Sequence, residues 1–247
     1  MKASPDAQLR LLDLAEIDAE LTRLEHRRRS LPEHEVLTAL EQRDRELRDE
    51  LATLDAREGD LRREQAKAET DVEQVRTRID RDRVRLEAGQ VSSPRELENL
   101  QSEIESLNHR QSDLEEVVLD VMERREGAQS RQAAVTAERA QIAADAVTAR
   151  ERRDAALAEI SEQAGKAADR RVAIVADEPA DLIDLYERLR ASHNGVGAAA
   201  LRRGRCEGCH LSLNTVDLNA IRAAPQDEVL RCEECRRILV RTAESGL

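Results

Sequence analysis

Gly89-Gln90-Val91-Ser92-Ser93-Pro94 is the stretch on which the fold turns. Gly89 suits the end of a helix, because the residue that closes a helix often takes a positive φ and glycine does so without strain. Ser93, Pro94 and Glu96 read as N-cap, N1 and N3 of a second helix, a capping box. Two long helices joined by so short a link fold back on each other as an antiparallel hairpin.

Outward from this link both arms carry heptads. Before it, 3-4 spacing runs Leu37, Leu40, Asp44, Leu47, Leu51, Leu54, Glu58, Leu61, Gln65, Ala68, Val72, Val75, Ile79, Asp82, Leu86. After it, the series runs from Leu97, Leu100, Ile104 and Leu107 to Ala149, Arg153, Ala156 and Ile160. Such sustained spacing predicts a left-handed coiled coil. Residues whose numbers sum to about 183–186 face each other, which sets Glu58 against Arg125 and Asp44 against Arg139. Those polar seam pairs either fix the register or reach out to water. Gly59 and Gly127 fall at one depth and predict a soft spot, each weakening its helix by about 1 kcal/mol relative to alanine.

The first arm is broken. Leu14, Ile17, Leu21, Leu24 and Leu31 are out of phase with the series from Leu37, and Pro32 sits at the break, with Ser30 and Glu33 as a further capping-box pattern. The expected helices are about 5–29, 32–88 and 94–177, stopped by Pro179. The expected domains are a hairpin over 1–178 and a second unit over 179–247.

The second unit holds Cys206, Cys209, Cys232 and Cys235, two CxxC pairs 22 residues apart with no other cysteine in the chain. Two residues between cysteines let one tight turn aim both thiolates at one ion, and a second such turn completes a tetrahedron. The pattern suits one structural Zn(II) ion held by four thiolates. Two disulfides, four unrelated thiols and a redox CxxC are the alternatives; no βαβ pattern surrounds either pair to favour the last. His210 adjoins Cys209 as a fifth candidate ligand. Around the cysteines we expect a short helix carrying Leu182, Leu185, Tyr186 and Leu189, and a flexible joint at 192–197 whose Gly195 and Gly197 leave the ribbon's orientation open. A strand at about 198–203, a helix after Asn214, and strands near 228–230 and 237–241 should follow. So small a unit lacks a sufficient apolar core, so the ion should contribute much of its folding free energy.

Composition agrees. Charged residues make up 37 % of the 247, phenylalanine and tryptophan are absent, and Tyr186 is the one aromatic. That is a long-helix profile rather than that of a large globular core. No apolar run is long enough to span a membrane, and no apolar leader is read at the start, so a cytoplasmic location is expected. The formal net charge of −12 opposes wholesale wrapping by nucleic acid but permits a local contact.

The chain resembles a bacterial family of coiled-coil proteins with a C-terminal four-cysteine zinc ribbon. The resemblance covers essentially the whole chain and rests on Ser92-Ser93-Pro94-Arg95-Glu96-Leu97, on Leu185-Tyr186 with Gly195-Val196-Gly197, and on Cys232-Glu233-Glu234-Cys235-Arg236-Arg237-Ile238-Leu239. It implies a mainly α fold, a long antiparallel coiled-coil hairpin bearing a small α+β zinc ribbon, with all four ligands kept. Family members are described as candidate nucleic-acid-binding or adaptor proteins, some tied to an alternative sigma factor and to flagellar or type III secretion systems. The family usually has glycine where this chain has Arg236, which either strains a turn preferring positive φ or frees the arginine for a ligand.

Catalytic patterns are absent: Gly165-Lys166 lacks the first glycine of a phosphate loop, and His34-Glu35 lacks the second histidine of a zinc protease. Four thiolates also leave zinc no position for an activated water. The sequence therefore predicts no enzyme and no small-molecule substrate. Arg202, Arg203, Arg205, Arg231, Arg236, Arg237 and Arg241 are candidate nucleic-acid contacts, DNA or RNA, if the strands align them. Glu207, Glu233 and Glu234 oppose that, and no aromatic platform is present for stacking bases. The alternative is a protein adaptor or chaperone, using off-seam apolar residues Val117, Leu119 and Met122 for a partner or a homodimer. Leu9, Leu11 and Leu12 are expected to pack at the base of the hairpin.

Overall fold

The computed structural model describes residues 1–91, 93–193 and 195–247, so Ser92 of the hairpin link and Asn194 of the expected joint lie outside the described residues. Helices α1 (Pro5–Arg29), α2 (Pro32–Glu87) and α3 (Pro94–Asp177) match the expected spans to within one residue. They are followed by α4 (Ala180–Ser192), β1 (Ala198–Arg202), β2 (Arg205–Cys206), α5 (Thr215–Ala223), β3 (Leu230–Arg231) and β4 (Ile238–Arg241). No helix among the described residues is long and apolar enough to cross a membrane. The chain packs as two compact units, 36–149 and 1–35 with 150–247. Packing therefore cuts the chain elsewhere than at 178/179.

In the unit 36–149, α2 and α3 form the hairpin. Gly89 has φ 62°, Gln90 N–H donates to Arg85 O at 3.2 Å and Gly89 N–H to Leu86 O at 3.2 Å. These bonds satisfy the last carbonyls of α2 as a Schellman cap. Across the link Ser93 Oγ accepts from Glu96 N–H at 3.3 Å and starts α3. Every seam position of α2 from Leu37 to Leu86 is buried or half-buried, and on α3 only Leu97 is exposed. Glu58 meets Arg125 at 2.9 Å and Asp44 meets Arg139 at 3.0 Å, so the expected register is present. The guanidinium hydrogen bonds hold both carboxyls below their usual range. Asp82 is nearly fully buried, with Arg78, Arg81 and Arg85 nitrogens 3.8–3.9 Å away.

A β-carbon at Gly127 would meet no atom within 4 Å, and one at Gly59 only the flexible end of Arg63. Neither glycine serves packing. We expect Gly127→Ala to stabilise the chain by about 1 kcal/mol, read as a higher urea midpoint at unchanged slope. An unchanged or lower midpoint would refute this.

In the unit 1–35 with 150–247, the four strands lie in the order β2-β1-β4-β3. The central pair β1–β4 is parallel, with Ala198 opposite Ile238 and Ala200 opposite Val240. The flanking pairs β1–β2 and β3–β4 are antiparallel. Side chains alternate across the pleat. Ala198, Ile238 and Val240 join Leu11, Leu14, Leu182, Ile183 and Tyr186 in one apolar core. Ala199, Leu201 and Leu239 face the other way, onto Cys206, Cys232, Leu213 and Ile221. The sheet is thus buried on both faces, and only one of its cores belongs to the ribbon alone. Leu11 and Leu12 pack in the shared core as expected, whereas Leu9 remains exposed.

Two expectations are corrected in this unit. A free joint at 195–197 is not what the glycines provide. A β-carbon on Gly197 would lie 2.6 Å from Tyr186 O, and Ile238 N–H donates to Gly197 O at 3.0 Å. Gly197 thus permits close contact between α4 and the sheet. Nor does Ser30 open α2: its hydroxyl donates back to His26 O at 2.9 Å and closes α1.

Candidate metal centre

Two turns of one design carry the cysteines. Arg203 (φ 49°) and Gly204 (φ 72°) make a tight hairpin between β1 and β2, which delivers Cys206 to the sheet edge. His210 N–H then donates to Cys206 O at 2.8 Å, and Cys206 N–H donates to Leu211 O at 3.0 Å. The second turn repeats both bonds: Arg236 N–H to Cys232 O at 2.8 Å and Cys232 N–H to Arg237 O at 2.9 Å. In each, the residue after the second cysteine is left-handed, His210 at φ 60° and Arg236 at φ 61°. Gly208 is required in the first turn because a β-carbon there would lie 2.9 Å from both Ala199 Cβ and Arg237 Cδ.

The four Sγ atoms lie within 4.8 Å of one another, with Cys206–Cys235 and Cys209–Cys232 each at 3.9 Å. A tetrahedron with Zn–S bonds of about 2.3 Å has edges of about 3.8 Å, so the thiols fit zinc. All four cysteines are unbridged, and the disulfide alternative is not the arrangement adopted. His210 stands outside the cluster. Burial, with the charge of Cys232 and Cys235, pushes the Cys206 thiol up to about 12. Burial also raises Cys232. For Cys235 burial acts upward but is outweighed by hydrogen bonds, chiefly from Arg237, which bring it down to about 7. A bound cation would favour all four thiolates, since ligation requires the deprotonated form.

The left-handed Arg236 stands where the resembling family has glycine. Holding a side chain in that conformation costs about 1–2 kcal/mol, and its ion pair to Glu233 at 3.1 Å is exposed. We expect Arg236→Gly to raise the ribbon's resistance to urea by about 1 kcal/mol. A destabilised variant would show that the arginine makes contacts worth more than the strain.

The seven candidate arginines do not form one open face. Arg237 donates to the carbonyls of Val196, Gly208 and His193 at 3.0–3.3 Å and ties the first cysteine turn to the end of α4. Arg241 donates to the carbonyls of Ile221, Ala224, Pro225, Gln226 and Glu228, capping α5 and the turn after it. Arg202 pairs with Glu244 at 2.7 Å, Arg236 with Glu233, and Arg231 Nε donates to Arg236 O at 2.9 Å. Arg203 and Arg205 are exposed, with no ion pair among the described residues.

One charged centre went unrecognised in the sequence. Asp18 of α1 is fully buried and accepts from Tyr186 Oη at 2.7 Å and Arg171 Nε at 2.8 Å. Arg190 Nε stands 3.0 Å from it without hydrogen-bond alignment, and Glu187 pairs with both arginines. Burial, then the bond to Asp18, raises the Tyr186 hydroxyl above its ordinary value. The available signal was the 3-4 frame Leu11, Leu14, Asp18, Leu21, which puts a carboxylate at a seam position.

Fold and site together define a helical-hairpin protein carrying a four-cysteine zinc ribbon. Family models match over both parts, a CT398-like coiled coil hairpin domain at residues 14–194 and a C4-type zinc ribbon domain at 205–239. The chain belongs to the CT398-like coiled coil hairpin family. It is 38 % identical over 241 residues to Rv2229c of Mycobacterium tuberculosis (strain ATCC 25618 / H37Rv), covering 98 % of each chain. A solved structure from Mycobacterium smegmatis is similar with TM-score 0.82 at 37 % identity, over 98 % of this chain and all of that one. The structure of CT398 from Chlamydia trachomatis shares the fold, with TM-score 0.70 at 20 % identity over 96 % and 98 % of the chains.

Proposed function

We propose that the protein is a non-enzymatic cytoplasmic adaptor whose zinc ribbon holds one structural Zn(II) ion and whose coiled-coil hairpin binds another protein. The carrying observation is the fate of the ribbon arginines: two are spent on backbone carbonyls and two more on carboxylates. A phosphate-binding face needs such groups free. With four thiolates on zinc no coordination position remains for substrate, so the ion acts by holding two turns together. A tagged pull-down from the native cell, with and without nuclease, tests the reading. Partners that persist after nuclease treatment support it, and partners that vanish overturn it.

A second reading has one observation in its favour. Arg203 and Arg205 stay exposed beside the first cysteine turn, and they supply a local contact for a nucleic-acid backbone. An anisotropy titration at low and moderate salt distinguishes it, because phosphate contacts must weaken as salt rises.

A further inference from the structure

We propose that a groove midway along the hairpin binds a basic amphipathic helix of a partner protein; this deepens the adaptor reading and rests on it. The groove, about 410 Å³, is lined by Glu69, Val72, Glu73 and Arg76 of α2 and by Glu115, Val118 and Leu119 of α3. Leu119 is 61 % exposed and Met122, one turn further along the same face, 38 %. Two apolar side chains at i and i+3 beside half-buried Val118 present anchors of the kind a helix-in-groove contact uses. Val117 is two residues from Leu119 and so belongs to a different face. Beside the groove, sharing Glu69 and Glu73, the α2 surface also carries Ala66, Thr70, Gln74 and Thr77.

The rim decides the occupant. Arg76 is tied to Glu115 at 2.5 Å, while Glu69 and Glu73 make no ion pair among the described residues. Glu123 and Glu126, at i+4 from Leu119 and Met122, continue the acidic edge. Lysines and arginines flanking an apolar stripe complement that edge. A second copy of this chain in a two-fold contact would instead set Glu69 and Glu73 near their own counterparts, which is repulsive.

The test uses the full chain and two synthetic peptides of about 15 residues, a leucine–lysine amphipathic helix and its leucine–glutamate counterpart, at moderate salt. The lysine peptide should bind, and the glutamate peptide should not. Leu119→Ser with Met122→Ser should weaken binding about tenfold, the size of loss expected for two apolar anchors. Glu69→Lys with Glu73→Lys should weaken it as much without touching a buried side chain. Val147→Ser, at another exposed site, should change nothing. Equal binding of both peptides, or full affinity in both double variants, overturns the proposal. So does a light-scattering dimer that Leu119→Ser with Met122→Ser converts to monomer, since the groove then belongs to a second copy. If nuclease-resistant partners of the native cell are retained by both double variants, this groove fails while the adaptor reading stands.

Discussion

Stripping the metal with a strong chelator, or changing Cys232 to serine, unfolds the ribbon and loosens α1 and α4 with it, while the helices of 36–149 persist. The ribbon's own core is small: Ala199, Leu201, Leu213, Ile221 and Leu239 around two buried cysteines. Zinc binding at such sites is worth on the order of 10 kcal/mol at neutral pH, and that free energy is folding free energy. The opposite face of the same sheet contributes Ala198, Ile238 and Val240 to the core holding Leu11, Leu14 and Tyr186. Loss of the sheet therefore uncovers α1 and α4. Hydrogen exchange on the native and chelated chain should show lost protection at 198–241 and raised exchange in 5–17 and 180–192. Protection at 198–241 surviving complete zinc removal would sink the clamp model. Metal analysis should give one zinc per native chain and far less for Cys232→Ser.

Asp18→Ala destabilises the unit 1–35 with 150–247 by about 3–5 kcal/mol, the range for breaking a buried charge pair by removing one partner. The change leaves Arg171 with Glu187 as its remaining carboxylate and the buried Tyr186 hydroxyl without its acceptor. Urea unfolding, followed by the fluorescence of Tyr186, measures it, and a loss below about 1 kcal/mol would mean that water replaces the carboxylate at little cost. The same network sets an alkaline limit. Tyr186 titrates higher in the folded chain than the value of about 10 it has when unfolded. Its contribution to stability is complete below that value and is lost as pH rises beyond it. The wild type should therefore lose stability above about pH 10 more steeply than Tyr186→Phe does.

The hairpin was legible because its signal is local and repeated. Leu37 through Leu86 report one face of one helix, and the sum of residue numbers across the link then fixes Glu58 on Arg125. The zinc site was legible for the same reason, since each cysteine turn is complete within six residues. The roles of Arg237 and Arg241 were not, because their acceptors are carbonyls 13–44 residues away whose directions depend on finished turns. Asp18 was hidden similarly: its partners lie 153–172 residues onward, on α3 and α4. Periodicity shows which side of a helix is covered and is silent about what covers it.

The shared core has a consequence for synthesis. Leu11 and Leu14 lie at the beginning of the chain, and their partners Ile238 and Val240 lie near its end. At a translation rate of about 5–20 residues per second, α1 waits on the order of ten seconds or more for the strands that cover it. During that interval its apolar side is open to chaperones and to neighbouring nascent chains, and the last cysteine turn to emerge is what ends the wait.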